Sequence, residues 1–172
     1  MKIRPMTARD KSGVMHILRN TPEFNALDLV VAEEVIDSYL VDPAGSGYQV
    51  QVAESESSLA GYVCYGFNNM TQSTWDVYWI AVARSHQGQG IGRELLSSAE
   101  KNIQEAGGKL IIIETSSTPD YDRTNRFYQS RGYKLVCQIA DFYGPGDDQI
   151  IYEKRFQLDT PVARPSPKKF KT

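Results

Sequence analysis

A glycine-rich turn joins a predicted strand to a predicted helix near the middle of this 172-residue chain. Residues 74–82 are rich in aromatic and β-branched side chains, which predicts a strand, and residues 87–92 hold three alternating glycines. Apolar residues then recur at every fourth position from Ile91 to Ile103, which predicts a helix, and residues 110–113 predict a second strand. Strand, helix and strand within about 40 residues form a βαβ crossover, so the two strands should run parallel.

The rest of the chain supplies further helices and strands with no internal repeat. Apolar spacing predicts a first helix capped by Thr7 and two more over 27–40 and 121–131. Alternating or continuous apolar runs predict strands over 2–6, 48–53, 59–67, 133–140 and 149–156. The chain is therefore predicted to be an α/β protein, with a mixed, mostly antiparallel sheet of about seven strands and helices on both faces.

Length and composition fit one globular domain followed by a tail. We expect the domain to cover residues 1–157, and residues 158–172, rich in Pro and Lys, to be disordered. The apolar runs are far shorter than the roughly 20 residues of a membrane span, and the first residues do not form a secretory signal. These features predict a cytoplasmic protein with no membrane partner.

The charge is unevenly distributed along the chain. The net charge is -2, and residues 159–172 carry four cationic residues against Asp159 alone. The rest of the chain, the body of the protein, therefore has a more negative net charge than the full sequence. An acidic body argues against a nucleic-acid partner and in favour of a cationic one. The two cysteines, Cys64 and Cys137, lie in apolar strand-like runs and are expected to be small buried residues.

The glycine-rich turn has the properties of an anion site. Unpaired backbone N–H groups at the start of a helix form the positive end of its dipole, where phosphate binds well. Two common phosphate motifs do not fit: a dinucleotide fingerprint starting at Gly88 would need glycine where the chain has Arg93, and the Gly-Lys-Ser/Thr of an NTPase loop is absent.

This turn resembles the signature of the GNAT superfamily of acyl-CoA-dependent N-acyltransferases. That signature is Gln or Arg, two residues, Gly, one residue, then Gly or Ala, and here it is Gln87-Gly88-Gln89-Gly90-Ile91-Gly92. A second family block is matched by Asn125-Arg126-Phe127-Tyr128 and Arg131-Gly132-Tyr133, about 40 residues further on in the expected order. The resemblance extends over residues 2–156 and implies a GNAT-type sheet whose parallel strand pair is splayed apart.

The resemblance implies acetyl-CoA as co-substrate and no metal. Its pyrophosphate would lie on the glycine loop, and its pantetheine would pair with the strand backbone between Ile80 and Val82. Arg84, His86 and Arg93 are candidate phosphate contacts, although each is equally explained as a solvated surface charge. The implied cofactor-binding residues are Ile80, Ala81, Val82, Gln87, Gly88, Gln89, Gly90, Ile91, Gly92, Arg93, Asn125, Phe127 and Tyr128.

Amide formation from a thioester needs a neutral amine, an oxyanion site and a proton for the departing thiolate. By similarity to the family, backbone N–H groups of residues 80–82 are the oxyanion donors and Tyr128 is the general acid. The base is open between two strand carboxylates, Asp76 and Glu114, either of which could instead be a structural ion-pair partner. Strand alternation places Asp76 on the side of Tyr78 and Ile80 unless a bulge intervenes.

The leading interpretation is an N-acetyltransferase that moves acetyl from acetyl-CoA directly to a primary amine of a small molecule or peptide. Polyamines, aminoglycosides, amino acids and protein amines all stay open as acceptors. The oligomeric state is also open, and a homodimer is one possibility. A non-catalytic acyl-CoA-binding or regulatory module of the same fold is the alternative. A protein-interaction domain with a degenerate cofactor site is a third reading, against which the intact glycine loop counts.

Overall fold

The computed structural model describes residues 1–55 and 58–156, which form one seven-stranded sheet with helices on both faces. The strands are β1 (Lys2–Pro5), β2 (Tyr48–Ser55), β3 (Ser58–Phe67), β4 (Thr74–Val82), β5 (Leu110–Ser116), β6 (Lys134–Gly144) and β7 (Asp147–Arg155), in the spatial order β1-β2-β3-β4-β5-β7-β6. The helices are α1 (Lys11–Arg19), α2 (Ala26–Val41), α3 (Ile91–Glu105) and α4 (Asp122–Ser130). The predicted mixed fold is confirmed, whereas the predicted tail, 158–172, lies outside the described residues.

The sheet splits between β4 and β5, its parallel pair. Only Thr74–Asp76 pair with Leu110–Ile112, and beyond that point β4 pairs with β3 alone and β5 with β7 alone. The backbone groups of the two strands that face each other past the split therefore have no strand partner. The splayed pair that the resemblance implied is present.

A β-bulge in β4 changes which side chains share a face. Tyr65 opposes Val77 and the next residue of β3, Cys64, opposes Trp79, so Tyr78 is the extra residue. Val77 and Ile80 consequently pack into the same core cluster, although three positions separate them. Alternation would place Asp76 on the side of Ile80 only in a regular strand; the bulge intervenes and leaves Asp76 on the opposite face of β4 from Ile80.

Two apolar cores, one on each face of the sheet, hold the strands in place. On one face α3 and α4 pack against the sheet, and on the other face α1 and α2 do so. Leu95, Ala99 and Ile103 of α3 are fully buried, as their four-residue spacing predicted. Burial of such a Leu or Ile contributes about 1.5–3 kcal/mol, which fixes α3, and with it the glycine loop at its start, against the sheet.

An ion-pair network joins β1 to the start of α1. Arg4 donates from its two terminal nitrogens to the Asp10 carboxylate at 2.7 and 2.9 Å, and from Nε to Glu54 at 3.0 Å. Asp10 also accepts from the backbone N–H and the hydroxyl of Thr7. The hydrogen bonds from Arg4 hold the pKa of the Asp10 carboxyl well below its usual range, even though burial opposes the shift.

The two cysteines differ in environment. Cys64 is buried, as predicted, and burial raises the pKa of its thiol. Cys137 is exposed, which contradicts the prediction, because β6 is the last strand of the sheet and has a neighbour on one side only. Among the described residues, no helix combines the length and apolarity needed to cross a membrane.

Candidate active site

A cleft of about 990 Å³ lies where β4 and β5 separate. Its walls come from β4, β5, the glycine loop at the start of α3, and α4, and its far end is bounded by the loop between α1 and α2 and by the β6–β7 hairpin. A cavity of this size is typical of a site for a small molecule or cofactor.

The glycine loop presents its backbone to one end of the cleft. Gly88 and Gly90 have φ angles of 78° and 82°, which a residue with a side chain rarely adopts, and Gly90 is the N-cap of α3. A Cβ atom at Gly88 would meet no atom within 4 Å, so this part of the loop faces open space. The first N–H groups of a 15-residue helix are thus aimed at an accessible site for an anion.

Cationic side chains surround this end of the cleft. Arg84, Arg93, Arg123 and Arg131 line it, together with the imidazole of His86. The sequence named Arg131 only as part of the second family block and gave no reason to name Arg123. Arg123 donates from Nη1 to Oε1 of Gln87 at 2.9 Å and so ties α4 to the glycine loop. The helix dipole and these charges together make this end electropositive.

The middle of the cleft fits an extended ligand that carries amide groups. Ile80, Ala81 and Val82 of the splayed β4 line it, opposite Thr115 of β5. The Thr115 hydroxyl is buried without a hydrogen-bond partner among the described residues, which is costly unless a ligand supplies one. The strand edges past the split likewise need partners, so the residues present fit the pantetheine of CoA.

Tyr128 lies beside this middle section. It is 5% exposed, its ring packs against those of Tyr133 and Phe127, and it lines the cleft. Burial raises the pKa of the Tyr128 phenol, so the hydroxyl keeps its proton well above neutral pH. Because Tyr128 lines the cleft, this proton is within reach of a group bound there.

The two candidate carboxylates are in different places. Glu114 lines the cleft, and its Oε2 accepts a hydrogen bond of 2.7 Å from Nε2 of the buried Gln149. Asp76 does not line the cleft, and its Oδ2 accepts a hydrogen bond of 3.2 Å from Asn68. Burial raises the pKa of Asp76, and the Asn68 hydrogen bond partly offsets the shift.

The far end of the cleft is acidic and aromatic. Four acidic residues of the lining, Glu23, Asp28, Glu114 and Asp147, lie near three tyrosines there, Tyr78, Tyr121 and Tyr143. Burial raises the pKa of Tyr121 to about 12, and the carboxylates of Asp28, Glu23 and Asp147 add to the rise. Burial also raises the pKa of Tyr78 to about 12, with Asp76 and Glu114 among the contributing charges. The cleft is therefore electropositive at the glycine loop and electronegative at the opposite end.

Most of the residues predicted for the site line this one cleft. Those that do are Ile80, Ala81, Val82, Gln87, Gly88, Gly90, Ile91, Gly92, Arg93, Glu114, Phe127 and Tyr128. Asp76, Gln89 and Asn125 do not. Gln89 bonds to the Ser85 carbonyl, and Asn125 donates to the Ser116 carbonyl at 3.0 Å and so holds α4 against the end of β5.

Comparison with known proteins agrees with this architecture. Residues 46–135 match the sequence profile of the acetyltransferase (GNAT) domain. A protein from Desulfovibrio desulfuricans assigned to the GNAT acetyltransferases has a solved structure that is 35% identical, superposes with a TM-score of 0.86, and aligns over 90% of this chain and 98% of its own. The chain therefore belongs to the GNAT family and is an acetyltransferase of that type. No curated protein sequence is significantly similar to it.

More distant solved structures share the fold. The ribosomal-protein-S18-alanine N-acetyltransferase of Escherichia coli is 17% identical with a TM-score of 0.74, and the alignment covers 95% of this chain and 98% of that one. An aminoglycoside 6'-N-acetyltransferase complexed with coenzyme A is 20% identical with a TM-score of 0.71, over 96% of this chain and 99% of that one. At these identities the likeness extends to the fold alone.

Proposed function

We propose that this protein transfers the acetyl group of acetyl-CoA directly to a primary amine of a small cationic molecule or peptide. The observation that carries the proposal is the division of the cleft, with cationic residues and a helix N-terminus at one end and carboxylates at the other. A phosphate-bearing acyl donor and a cationic acceptor would each be drawn to its own end, and their reacting groups would meet between the splayed strands.

The electropositive end would hold the donor. Backbone N–H groups of residues 87–92 would bind the pyrophosphate, with Arg84, Arg93 and Arg123 close enough to add charge. The unpaired backbone of β4 between Ile80 and Val82 would pair with the pantetheine amides. Asn125 would act indirectly, by holding α4 in place, because its side chain bonds to the Ser116 carbonyl and does not line the cleft.

The chemistry would need three contributions from the chain. Backbone N–H groups of β4 would stabilise the oxyanion formed when the amine nitrogen attacks the thioester carbonyl carbon. As the C–N bond forms and the C–S bond breaks, the neutral phenol of Tyr128 would give its proton to the leaving thiolate. A carboxylate, or water next to it, would take the proton lost by the amine. Glu114 suits that role better than Asp76 because it lines the cleft.

The acceptor end would select for positive charge. Glu23 and Asp28 lie on one side of this end, and Asp147 on the other, around Tyr121 and Tyr143. Carboxylates close together stabilise a cation that lies between them, and aromatic rings add attraction at their faces. An amine with a second positive charge should therefore bind better than one of the same length without it.

The test is calorimetric titration with acetyl-CoA, followed by release of free thiol in the presence of matched amines. Putrescine and butylamine share a four-carbon chain and differ in one amino group. We expect acetyl-CoA to bind, thiol to be released, and putrescine to be the better acceptor. Binding without thiol release for any amine would favour the acyl-CoA-binding module, and no binding would overturn the assignment of the glycine loop.

A further inference from the structure

One hydrogen bond joins the two walls of the acceptor end. The hydroxyl of Tyr121, at the end of the loop between β5 and α4, donates to the backbone carbonyl of Glu23 at 2.7 Å, across 98 positions of sequence. Glu23 belongs to the loop between α1 and α2 (residues 20–25), and both residues line the cleft. The bond therefore crosses from the α1–α2 layer to the segment that precedes α4.

The loop that accepts this bond is held locally on both sides of Glu23. The amide of Thr21 donates to Leu18 and its hydroxyl to Ile17, at the end of α1. On the other side Phe24 packs against the core of that face, and Asn25 caps α2. These contacts belong to the α1–α2 layer, so they do not set the distance from Glu23 to the opposite wall, whereas the Tyr121 hydroxyl does.

We propose that Tyr121 is a positioning residue that holds the 20–25 loop across the acceptor end and so sets the affinity for compact cationic amines. The inference rests on the proposed function of the cleft. With the loop in place, the Glu23 carboxylate lines the acceptor end together with those of Asp28 and Asp147, around Tyr121. Without the hydrogen bond, the loop can move outward and carry the Glu23 carboxylate away from those of Asp28, which belongs to α2, and Asp147.

The phenol is suited to a permanent bond rather than a switch. Burial and the nearby carboxylates keep it protonated through the pH range in which amines are acetylated, so the hydroxyl remains a donor. Its acceptor is a backbone carbonyl, which does not titrate. The bond should thus persist whether or not an acceptor is bound.

The test compares wild type with Tyr121→Phe, a substitution that removes one hydroxyl and keeps the ring. Loss of one hydrogen bond that orders the loop should raise the Michaelis constant for putrescine about two- to ten-fold. Turnover at saturation and the affinity for acetyl-CoA should stay within about two-fold. Amide hydrogen exchange at Glu23 and Phe24 should become faster. Tyr133→Phe is the matched control, because the Tyr133 hydroxyl also joins two elements, through Glu100 at 3.0 Å, but does not line the cleft.

A second variant and a binding measurement separate this inference from the proposed function. Glu23→Gln keeps the backbone carbonyl and removes the charge, so it should weaken putrescine binding without faster exchange in the loop. Titration of the CoA-loaded enzyme with putrescine measures acceptor affinity in the absence of turnover. Absence of acetyl transfer would overturn the proposed function alone. Unchanged putrescine affinity in Tyr121→Phe, or no putrescine binding in wild type, would overturn the positioning role.

Discussion

Gln149 of β7 donates a hydrogen bond of 2.7 Å from Nε2 to Oε2 of Glu114 on the neighbouring strand β5, and so holds that carboxylate at the wall of the cleft. Such a contact leaves the second carboxylate oxygen free to accept a proton from an amine, directly or through water. Asp76, by contrast, is bonded to Asn68 and does not line the cleft. The two carboxylates can therefore be distinguished by experiment.

If Glu114 is the base, Glu114→Gln should lower kcat/KM by about 100-fold near neutral pH, a typical size for the loss of a general base. The difference in kcat/KM between Glu114→Gln and wild type should shrink as the pH approaches about 10, because the amine in solution is then largely neutral and needs no base. The measurement is a pH–rate profile for Glu114→Gln and Asp76→Asn side by side. A pH-dependent loss in Asp76→Asn with none in Glu114→Gln would reverse the assignment, and a loss independent of pH would indicate a structural role.

Tyr128→Phe should lower turnover by about 100-fold or more and change acetyl-CoA affinity by less than about two-fold, because the hydroxyl that supplies the proton is lost and the ring is kept. The comparison variant is Tyr152→Phe. Tyr152 packs against Tyr128 with ring centroids 6.2 Å apart, and its hydroxyl accepts from Gln129 outside the cleft. Steady-state kinetics with calorimetric binding checks both. Equal rates in Tyr128→Phe and wild type would mean that another group protonates the thiolate.

Gly90→Val should abolish binding of acetyl-CoA, because a branched side chain would strain the loop and cover its N–H groups. Gly107→Val is a close control, since both glycines have a φ of 82° and Gly107 lies at the far end of α3 in open space. Each substitution should cost a similar amount of stability, about 1–2 kcal/mol, for the left-handed conformation. Calorimetric titration of the folded variants with acetyl-CoA is the measurement. Retained affinity in Gly90→Val would contradict the assignment of the glycine loop as the pyrophosphate site.

Asp10→Ala should lower the free energy of unfolding by about 3 kcal/mol at neutral pH, because it leaves the half-buried Arg4 without its main partner. The pKa of Asp10 is lower in the folded protein than in the unfolded chain, so its stabilisation is present above about pH 4 and is lost as the pH falls below that value. Urea unfolding at several pH values measures both effects.

The control for that experiment is Glu105→Ala. Glu105 pairs with Lys101 at 3.8 Å on the exposed surface of α3, where an ion pair contributes less than about 1 kcal/mol. Equal losses in Asp10→Ala and Glu105→Ala would show that the Arg4 network does not stabilise the join between β1 and α1.

The central strand–helix–strand unit could be predicted because its signals are local. The observed bounds of β4, Thr74–Val82, are those predicted, and the start of α3 follows from the glycines and the apolar spacing. The bulge at Tyr78 has no such signal, because it depends on how β4 pairs with β3. That is why alternation put Asp76 on the wrong face. The prediction that Cys137 is buried was wrong for a related reason. An apolar run indicates a strand but does not show whether a neighbouring strand covers it.

The cofactor end of the cleft could be predicted more fully than the acceptor end. The glycine loop is one continuous segment, whereas the acceptor end is assembled from three loops that are far apart in sequence. Its contributors include Glu23, Tyr121 and Asp147, and the packing of α1 and α2 against the sheet, together with the hydrogen bond from Tyr121, brings the first of these near the others. Arg123 was missed because a charged residue on an exposed helix face has no sequence signal that separates a ligand contact from a solvated charge.

The most direct test of the account is to quantify free thiol and acetylated putrescine in one reaction, together with the intact mass of the protein after exposure to acetyl-CoA alone. Direct transfer through the divided cleft predicts one acetylated amine for each thiol released, and a protein mass that is unchanged when no amine is present. Binding of acetyl-CoA with neither product formed, or a stable acetyl group on the protein, would contradict it.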